Sequence, residues 1–204
     1  MTVLTLTGVP GSGKTTLALE VARLLGIEQL VQTDTLKEIL LLHQAPPIAT
    51  GSSYQAWKFL GEKTKGNIYE GFRQHTSYFE DSLLRLISWS VERQQDILVE
   101  GVQMTPWLFA QIPTEDKHGF YLQAPSLEEH LSRLSLKNSR RVQHKRAWDE
   151  HYSTLQVLDE WLAEESRRYG VTVLTNDSVE GTVQRILQRM HQREGGLCLV
   201  TATT

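Results

Sequence analysis

A chain of 204 residues is long enough to bury one hydrophobic core and fits a single domain. Hydrophobic residues make up 40% of it and charged residues 22%, which excludes a disordered or fibrous protein. The formal net charge of −3 argues against a protein devoted to the nucleic-acid backbone, because such proteins usually carry a strong basic excess.

The first predicted element is a strand, Val3–Thr7, which leads directly into the sequence GVPGSGKTT at residues 8 to 16. This sequence matches the P-loop motif G-x-x-x-x-G-K-[ST] at every fixed position. Its glycines let the chain curl so that successive backbone N–H groups point at one anion, and the helix that follows adds its positive N-terminal end. We therefore predict that Lys14 reaches the β- and γ-phosphates of a nucleotide and that the Thr15 hydroxyl binds Mg²⁺.

A helix is predicted after this loop, because apolar residues recur at helical spacing between Leu17 and Leu25 and Gly26 is well placed to end it. Short apolar runs then alternate with longer helical stretches, which is typical of a parallel sheet with helices on its faces. The remaining strand candidates are Leu30–Gln32, Ile97–Glu100, Gly119–Gln123 and Val171–Leu174.

The region between the second and third strands is longer than a minimal five-stranded sheet requires. It begins with a turn-rich loop, PPIATGSSYQAW at residues 46 to 57, and continues as a helical region that ends near Gln95. Because Gly61, Gly66 and Gly71 interrupt the helical pattern, we predict a bend or two separate helices here.

Two acidic residues follow predicted strands at the carboxyl edge of the sheet, where parallel α/β proteins place their chemistry. Asp34 opens the helix after the second strand, and Glu100 ends the third strand. The sequence leaves two compatible roles open for Asp34, as the cap of its helix and as the group that orients or deprotonates an acceptor hydroxyl. A carboxylate that ends the apolar run ILV needs a partner or a metal ion, so we assign Glu100 to catalysis and to Mg²⁺.

A basic segment lies between the fourth and fifth strands, at residues 133 to 146. It has no Asp or Glu and six basic residues, namely Arg133, Lys137, Arg140, Arg141, Lys145 and Arg146. Such a run is a solvated surface, a nucleic-acid patch or a mobile lid whose arginines close over the transferring phosphoryl group. We favour the lid, because the arginine fork pairs with phosphate oxygens. If the segment is a lid, Arg140 and Arg141 are catalytic, and Lys137 is expected to point away from the phosphoryl group.

Taken together, these features resemble the 2-phosphoglycerate kinase family, P-loop kinases of the nucleoside-monophosphate-kinase-like group. The similarity runs in order from about Val3 to about Met190. It is carried by GVPGSGKTT, TDTLKEIL, GSSYQAW, the GF of Gly71–Phe72 with Gln74 close behind, ILVEGVQMTP, EEHLSRLSLKNSRR and YGVTVLTND. In that family an arginine commonly follows the TD element, where this chain has Lys37.

From this resemblance and the strand pattern we predict an α/β fold, the three-layer P-loop NTPase sandwich. Its five-stranded parallel sheet would have the order 2-3-1-4-5, with a helical lid at about residues 133–146. Residues 1–192 would form one P-loop kinase domain, and residues 193–204 a tail of unknown order.

The resemblance also implies ATP and Mg²⁺, with the γ-phosphate passed to a hydroxyl of a small anionic metabolite such as 2-phosphoglycerate or a similar phosphorylated acid. ATP would be bound by Gly8, Gly11, Ser12, Gly13, Lys14, Thr15 and Thr16. The acceptor would be bound by Asp34, Lys37, Tyr54, Phe72, Gln74 and Arg133.

Two other functions stay open. A polynucleotide or nucleoside kinase is favoured by the basic segment and disfavoured by the net charge. A nucleotide-binding regulator would not need two carboxylates beside an acceptor. We expect a small-molecule partner, and neither a membrane nor a nucleic acid. The single cysteine, Cys198, and the lack of a signal-like N-terminal stretch or a long apolar run predict a cytoplasmic protein.

Overall fold

A computed structural model of the protein describes residues 1–42, 44–139 and 148–197. Its strands are β1 (Val3–Thr7), β2 (Gln29–Gln32), β3 (Ile97–Glu100), β4 (Lys117–Gln123) and β5 (Thr172–Thr175). Its α-helices are α1 (Lys14–Leu25), α2 (Thr33–Leu40), α3 (Pro47–Thr50), α4 (Lys65–Glu92), α5 (Pro106–Ala110), α6 (Leu127–Ser139), α7 (Trp148–Arg168) and α8 (Val179–Leu197). A 3₁₀ helix spans Ser53–Phe59.

The five strands form one parallel sheet in the order β2-β3-β1-β4-β5, so the predicted topology is confirmed. Each predicted strand is present, with its ends within two residues of the prediction. In the register of the sheet, Leu6 of β1 lies opposite Glu100 of β3 and Phe120 of β4. The loops that leave β1 and β3 therefore emerge side by side at the carboxyl edge.

The hydrophobic core is divided between the two faces of the sheet. Val3 and Val99 pack on one face with residues of α4 and α7, and Leu4 and Leu98 pack on the other with residues of α1 and α8. Successive side chains of a strand point to opposite faces, so the central strands β1 and β3 are buried along their whole length. The three-layer sandwich predicted from the sequence is confirmed.

The long helix α4 corrects one prediction in part. The chain does form two separate helices around Gly61, which has φ 112° and lies between the 3₁₀ helix and α4. Helix α4 runs for 28 residues from Lys65 to Glu92, and Gly66 and Gly71 lie inside it without a break. Gly71 is required for packing, because a Cβ atom there would lie 2.5 Å from the backbone nitrogen of Trp57 and 2.7 Å from the carbonyl carbon of Ala56. The glycine lets the 3₁₀ helix approach the backbone of α4.

Gly71→Ala is therefore expected to lower the free energy of unfolding by roughly 1–3 kcal/mol, because overpacking forces two backbones apart. Helix propensity alone predicts the opposite sign, a gain of up to about 1 kcal/mol. Gly66→Ala is the matched control, since the nearest atom to its Cβ would be Thr64 Oγ1 at 3.9 Å. Urea unfolding measures both changes, and equal effects at the two positions would contradict the packing argument.

The basic segment is described in part. Helix α6 carries it as far as Ser139, and α7 begins at Trp148. Arg140 and Arg141, the two arginines predicted to be catalytic, lie outside the described residues, as do Lys145 and Arg146. The predicted lid and the division into a domain of residues 1–192 and a tail stay predictions.

At the other end of the described chain, α8 continues to Leu197, past Gly195 and Gly196. Residues 198–204 lie outside the described part. Across residues 1–42, 44–139 and 148–197, no helix is long and apolar enough to cross a membrane.

Candidate active site

The P-loop joins the end of β1 to the start of α1. Gly13 is the N-cap of α1 and has a left-handed backbone (φ 92°), and a Cβ atom there would collide with the side-chain amide of Asn176. Helix α1 begins at Lys14. The loop therefore ends on unpaired N–H groups and the positive end of a helix dipole, which is the geometry that binds phosphate.

Side chains from two other parts of the fold hold the backbone of this loop. The ring Nε2 of His130 in α6 donates to the carbonyl oxygen of Pro10 at 2.6 Å. The amide Nδ2 of Asn176, after β5, donates to the carbonyl oxygen of Ser12 at 2.8 Å. The curvature of the loop is thus fixed before an anion binds.

Lys14 is partly buried, and its ammonium donates to the Val9 carbonyl oxygen at 3.0 Å. Burial lowers the pKa of Lys14 to about 8, because removal from water disfavours the charged form, and the negative charge of Glu100 opposes this shift. A phosphate group in the loop would supply the stronger, charged partner that this ammonium lacks.

Thr15 and Glu100 meet at the start of α1 and the end of β3. The Thr15 hydroxyl donates to Glu100 Oε1 at 2.8 Å, and Glu100 is 5% exposed. Gly101 follows with φ 143°, and a Cβ atom there would collide with the Thr33 hydroxyl. A hydroxyl and a carboxylate are oxygen donors of the kind that Mg²⁺ prefers, so the two residues fit the predicted metal ion.

A cleft of about 410 Å³ opens beside the loop. Four residues predicted for catalysis or substrate binding line it together: Lys14, Asp34, Lys37 and Tyr54. Asp34 is exposed at the second position of α2, and the N-cap of that helix is Gln32. The cap interpretation of Asp34 is therefore wrong, and its carboxylate is available to a ligand in the cleft.

Three other predicted acceptor residues do not line this cleft. Phe72 is fully buried in the core, where it packs edge-on against two tryptophan rings. Gln74 lies on an exposed face of α4 and donates to Glu70. Residues two apart on a helix point in very different directions, and the core-facing stripe of α4 takes Phe72 inward while Gln74 meets solvent.

Arg133 is the third of these residues, and it lies on the nucleotide side of the site. Its Nη2 donates to the backbone carbonyl of Asn176 at 2.9 Å, and its Nε donates to Glu129 at 2.9 Å. A Cβ atom built on Gly13 would be 3.7 Å from its Nη1. The guanidinium therefore adjoins the P-loop, and a role toward the phosphates fits its position better than the predicted contact with the acceptor.

Two further residues line the cleft, and the sequence assigned neither of them to it. Lys137 lines it, although it was expected to point away. Gln103 also lines it, is 2% exposed and accepts a hydrogen bond from the Thr33 hydroxyl at 2.5 Å. Gln103 carried a usable signal, because it follows Glu100 by three residues at the same strand end.

The sheet order, the loop and the adjoining cleft define a P-loop nucleotide-binding fold of the small-kinase type. The AAA domain family matches residues 4–154 of this chain. Since this is well over half of the chain, the protein belongs to that family.

Individual relatives agree with this assignment. The 2-phosphoglycerate kinase of Methanocaldococcus jannaschii is 23% identical over 196 residues, which cover 94% of this chain and 63% of that protein. The 2-phosphoglycerate kinase of Pyrococcus furiosus is 26% identical over 195 residues, covering 94% of this chain and 64% of that protein. The resemblance to 2-phosphoglycerate kinases is confirmed, and the chain spans less than two thirds of the length of these relatives.

A solved structure supports the fold. Shikimate kinase from Acinetobacter baumannii, in complex with shikimate, superposes with a TM-score of 0.56 at 20% sequence identity. The match covers 95% of this chain and 94% of that one.

Proposed function

We propose that the protein is a kinase that transfers the γ-phosphate of ATP to a hydroxyl of a small anionic metabolite, with 2-phosphoglycerate or a similar phosphorylated acid as the acceptor. The observation that carries this proposal is the shared cleft, in which Lys14 of the P-loop and the carboxylate of Asp34 line one cavity. A phosphate held by the loop would therefore face a group able to orient a nucleophile.

On the nucleotide side, the P-loop backbone and Lys14 would hold the β- and γ-phosphates. Thr15 and Glu100 would hold Mg²⁺, which when bound offsets negative charge on the phosphates. Thr16, which is exposed at the start of α1, and Arg133 would add contacts on the same side. The loop residues belong to the general P-loop motif, so they say little about the acceptor.

On the acceptor side, Asp34 would orient the hydroxyl or remove its proton. Lys37 and Tyr54 line the same cleft and would contact the acid groups of the acceptor. Lys37 stands where the related family commonly has an arginine, and it provides a point charge in place of the planar fork of a guanidinium. The preference for 2-phosphoglycerate is supported by the named relatives, and Lys37 and Lys137 provide positive charges in the cleft for an anionic acceptor.

Glu100→Gln is expected to raise the Mg²⁺ concentration that gives half-maximal activity by about 10-fold or more, because a neutral amide binds the ion more weakly than a carboxylate. Glutamine can still accept the Thr15 hydrogen bond, so the fold should persist. Asp96→Asn, at the opposite end of the same strand, is the control and should not change the Mg²⁺ dependence. An unchanged Mg²⁺ requirement in Glu100→Gln would remove Glu100 from the metal site.

The proposed acceptor is tested by a panel assayed with ATP: 2-phosphoglycerate, glycerate, shikimate, a nucleoside and an oligonucleotide with a free 5′-hydroxyl. We expect the highest kcat/KM with 2-phosphoglycerate. A preference for glycerate or shikimate would support a kinase but would contradict a phosphorylated acid as its acceptor. Transfer to the nucleoside or the oligonucleotide would favour the nucleoside or polynucleotide kinase alternative. ATP binding without transfer to any of them would favour the regulator.

A further inference from the structure

A buried glutamine lines the cleft and has no part in the chemistry proposed above. Gln103 follows β3 and is only 2% exposed, yet it lines the cleft together with Asp34. Two backbone hydrogen bonds hold the turn that carries it. The Thr105 N–H donates to the Gln103 carbonyl oxygen at 2.9 Å, and the Met104 N–H donates to that of Gly101 at 3.3 Å. The side chain therefore starts from a fixed backbone.

The oxygen end of the Gln103 amide is held by the start of α2. The Thr33 hydroxyl donates to Gln103 Oε1 at 2.5 Å, and both residues are buried. Gly101 permits this close approach, because a Cβ atom there would collide with the Thr33 hydroxyl. Thr33 and Asp34 are the first two residues of α2. The amide is therefore fixed against the neighbour of the residue that we propose to orient the acceptor hydroxyl.

The nitrogen end of the same amide is not used within the fold. Among the residues that the structure describes, none is hydrogen-bonded to Gln103 Nε2. This nitrogen carries two N–H donors, which a ligand in the cleft can reach. An apolar side chain would fill the position without the cost of burying an amide, so packing alone does not require a glutamine here. An oxygen atom of a bound ligand would give the donors a partner.

We propose that Gln103 is an acceptor-binding residue, whose amide N–H groups donate to an oxygen atom of the acceptor while Asp34 orients the acceptor hydroxyl. The inference rests on the proposed function, because it takes a small hydroxyl acid to be the ligand of the cleft. The two side chains are complementary, since an ionised carboxylate only accepts hydrogen bonds and the amide nitrogen only donates them. Lys37 and Lys137 of the same cleft add positive charge for the acid groups.

The test compares steady-state kinetics with ATP and the acceptor of the panel that the wild type uses best, expected to be 2-phosphoglycerate. Gln103→Glu is expected to raise the KM for the acceptor about 10-fold or more, because it removes both donors and sets a negative charge against an anion. The KM for ATP should hardly change. Glutamate still accepts from the Thr33 hydroxyl, so the contact that holds the side chain persists. Gln111→Glu, at the exposed end of α5, is the matched control and should behave like the wild type.

Thr33→Val separates binding from structure. It breaks the contact with Gln103 Oε1 but keeps the N–H donors, so it should raise the acceptor KM less than Gln103→Glu does. An equal or larger rise in Thr33→Val would overturn the inference, because the contact and not the donors would then be the cause. An unchanged acceptor KM in Gln103→Glu would also overturn it, as would an equal rise in the KM for ATP.

If Gln103→Glu does not fold, Gln103→Met removes the donors without adding a charge and decides by the same criterion. A wild-type protein that transfers phosphate to no acceptor of the panel would contradict the proposed function, and this inference with it. Transfer by the wild type combined with an unchanged acceptor KM in the Gln103 variant would contradict this inference alone.

Discussion

Lys14→Met is expected to abolish phosphoryl transfer and, at the same time, to make the empty protein more stable. Methionine keeps the length of the side chain without the charge. Loss of a charged donor to the phosphates should lower the rate of transfer by at least about 10²–10³-fold. A variant that loses activity while gaining stability cannot be explained as a misfolded protein.

The gain in stability follows from the lowered pKa of Lys14. The pKa is about 8 in the folded protein against 10.5 ordinarily, so the unfolded state binds more protons between these two values. Below pH 8 both states are protonated, and the folded protein bears the full cost of burying the charge. At pH 7 its removal should raise the free energy of unfolding by roughly 1–3 kcal/mol.

Urea unfolding and a transfer assay on the same preparation check both halves of this prediction. Lys58→Met is the control, because Lys58 is exposed on the 3₁₀ helix and should show neither effect. A Lys14→Met protein that retains near-normal turnover would contradict the P-loop kinase assignment. A folded variant that is inactive and less stable than the wild type would contradict the argument from burial.

Asp34→Asn is expected to lower kcat by roughly 10²–10⁴-fold, the usual cost of losing a group that orients or deprotonates a nucleophile. The KM for ATP should hardly change, because the P-loop and Lys14 are intact. Asparagine has nearly the same shape as aspartate, and the helix does not depend on Asp34 because Gln32 is its N-cap. The measurement is a steady-state kinetic comparison at saturating ATP.

Glu38→Gln is the matched control for that experiment. Glu38 lies one helical turn after Asp34 on α2 and lines the same cleft. If the role of Asp34 is specific, the control should keep kcat within a few-fold of the wild type. Equal losses in the two variants would show that the cleft needs negative charge in general. A rise in the acceptor KM alone would reduce Asp34 to a binding residue.

The two halves of the site come from different parts of the fold. The nucleotide half is built at the ends of β1 and β3, and its loop is held by residues of α6 and of the turn after β5. The acceptor half is built mainly from residues 33 to 92, the long insertion between β2 and β3. The nucleotide half follows a general sequence motif and the acceptor half lies in a long insertion, so the proposed donor rests on a clearer signal than the proposed acceptor.

Sequence patterns within a few neighbouring residues were enough to predict much of the fold and part of the site. The strands follow from apolar runs, and the P-loop, Asp34 and Glu100 follow from the motif and from strand ends. The rotation of a helix about its axis is set by tertiary packing, and this is where prediction failed. Phe72 and Gln74 of α4 were assigned to the acceptor, although close packing at Gly71 turns the first inward and leaves the second in solvent.

The rotation of α6 about its axis is likewise set by tertiary packing. Lys137 of that helix therefore lines the cleft, although the sequence predicts that it points away.

Transfer to the acceptor can be followed by incubating the protein with γ-³²P-labelled ATP, Mg²⁺ and 2-phosphoglycerate and separating the products. We expect the label in a bisphosphorylated acid, and we expect its formation to require 2-phosphoglycerate and to disappear in Lys14→Met. Label found only as inorganic phosphate, released at the same rate with and without the acceptor, would contradict the proposed function.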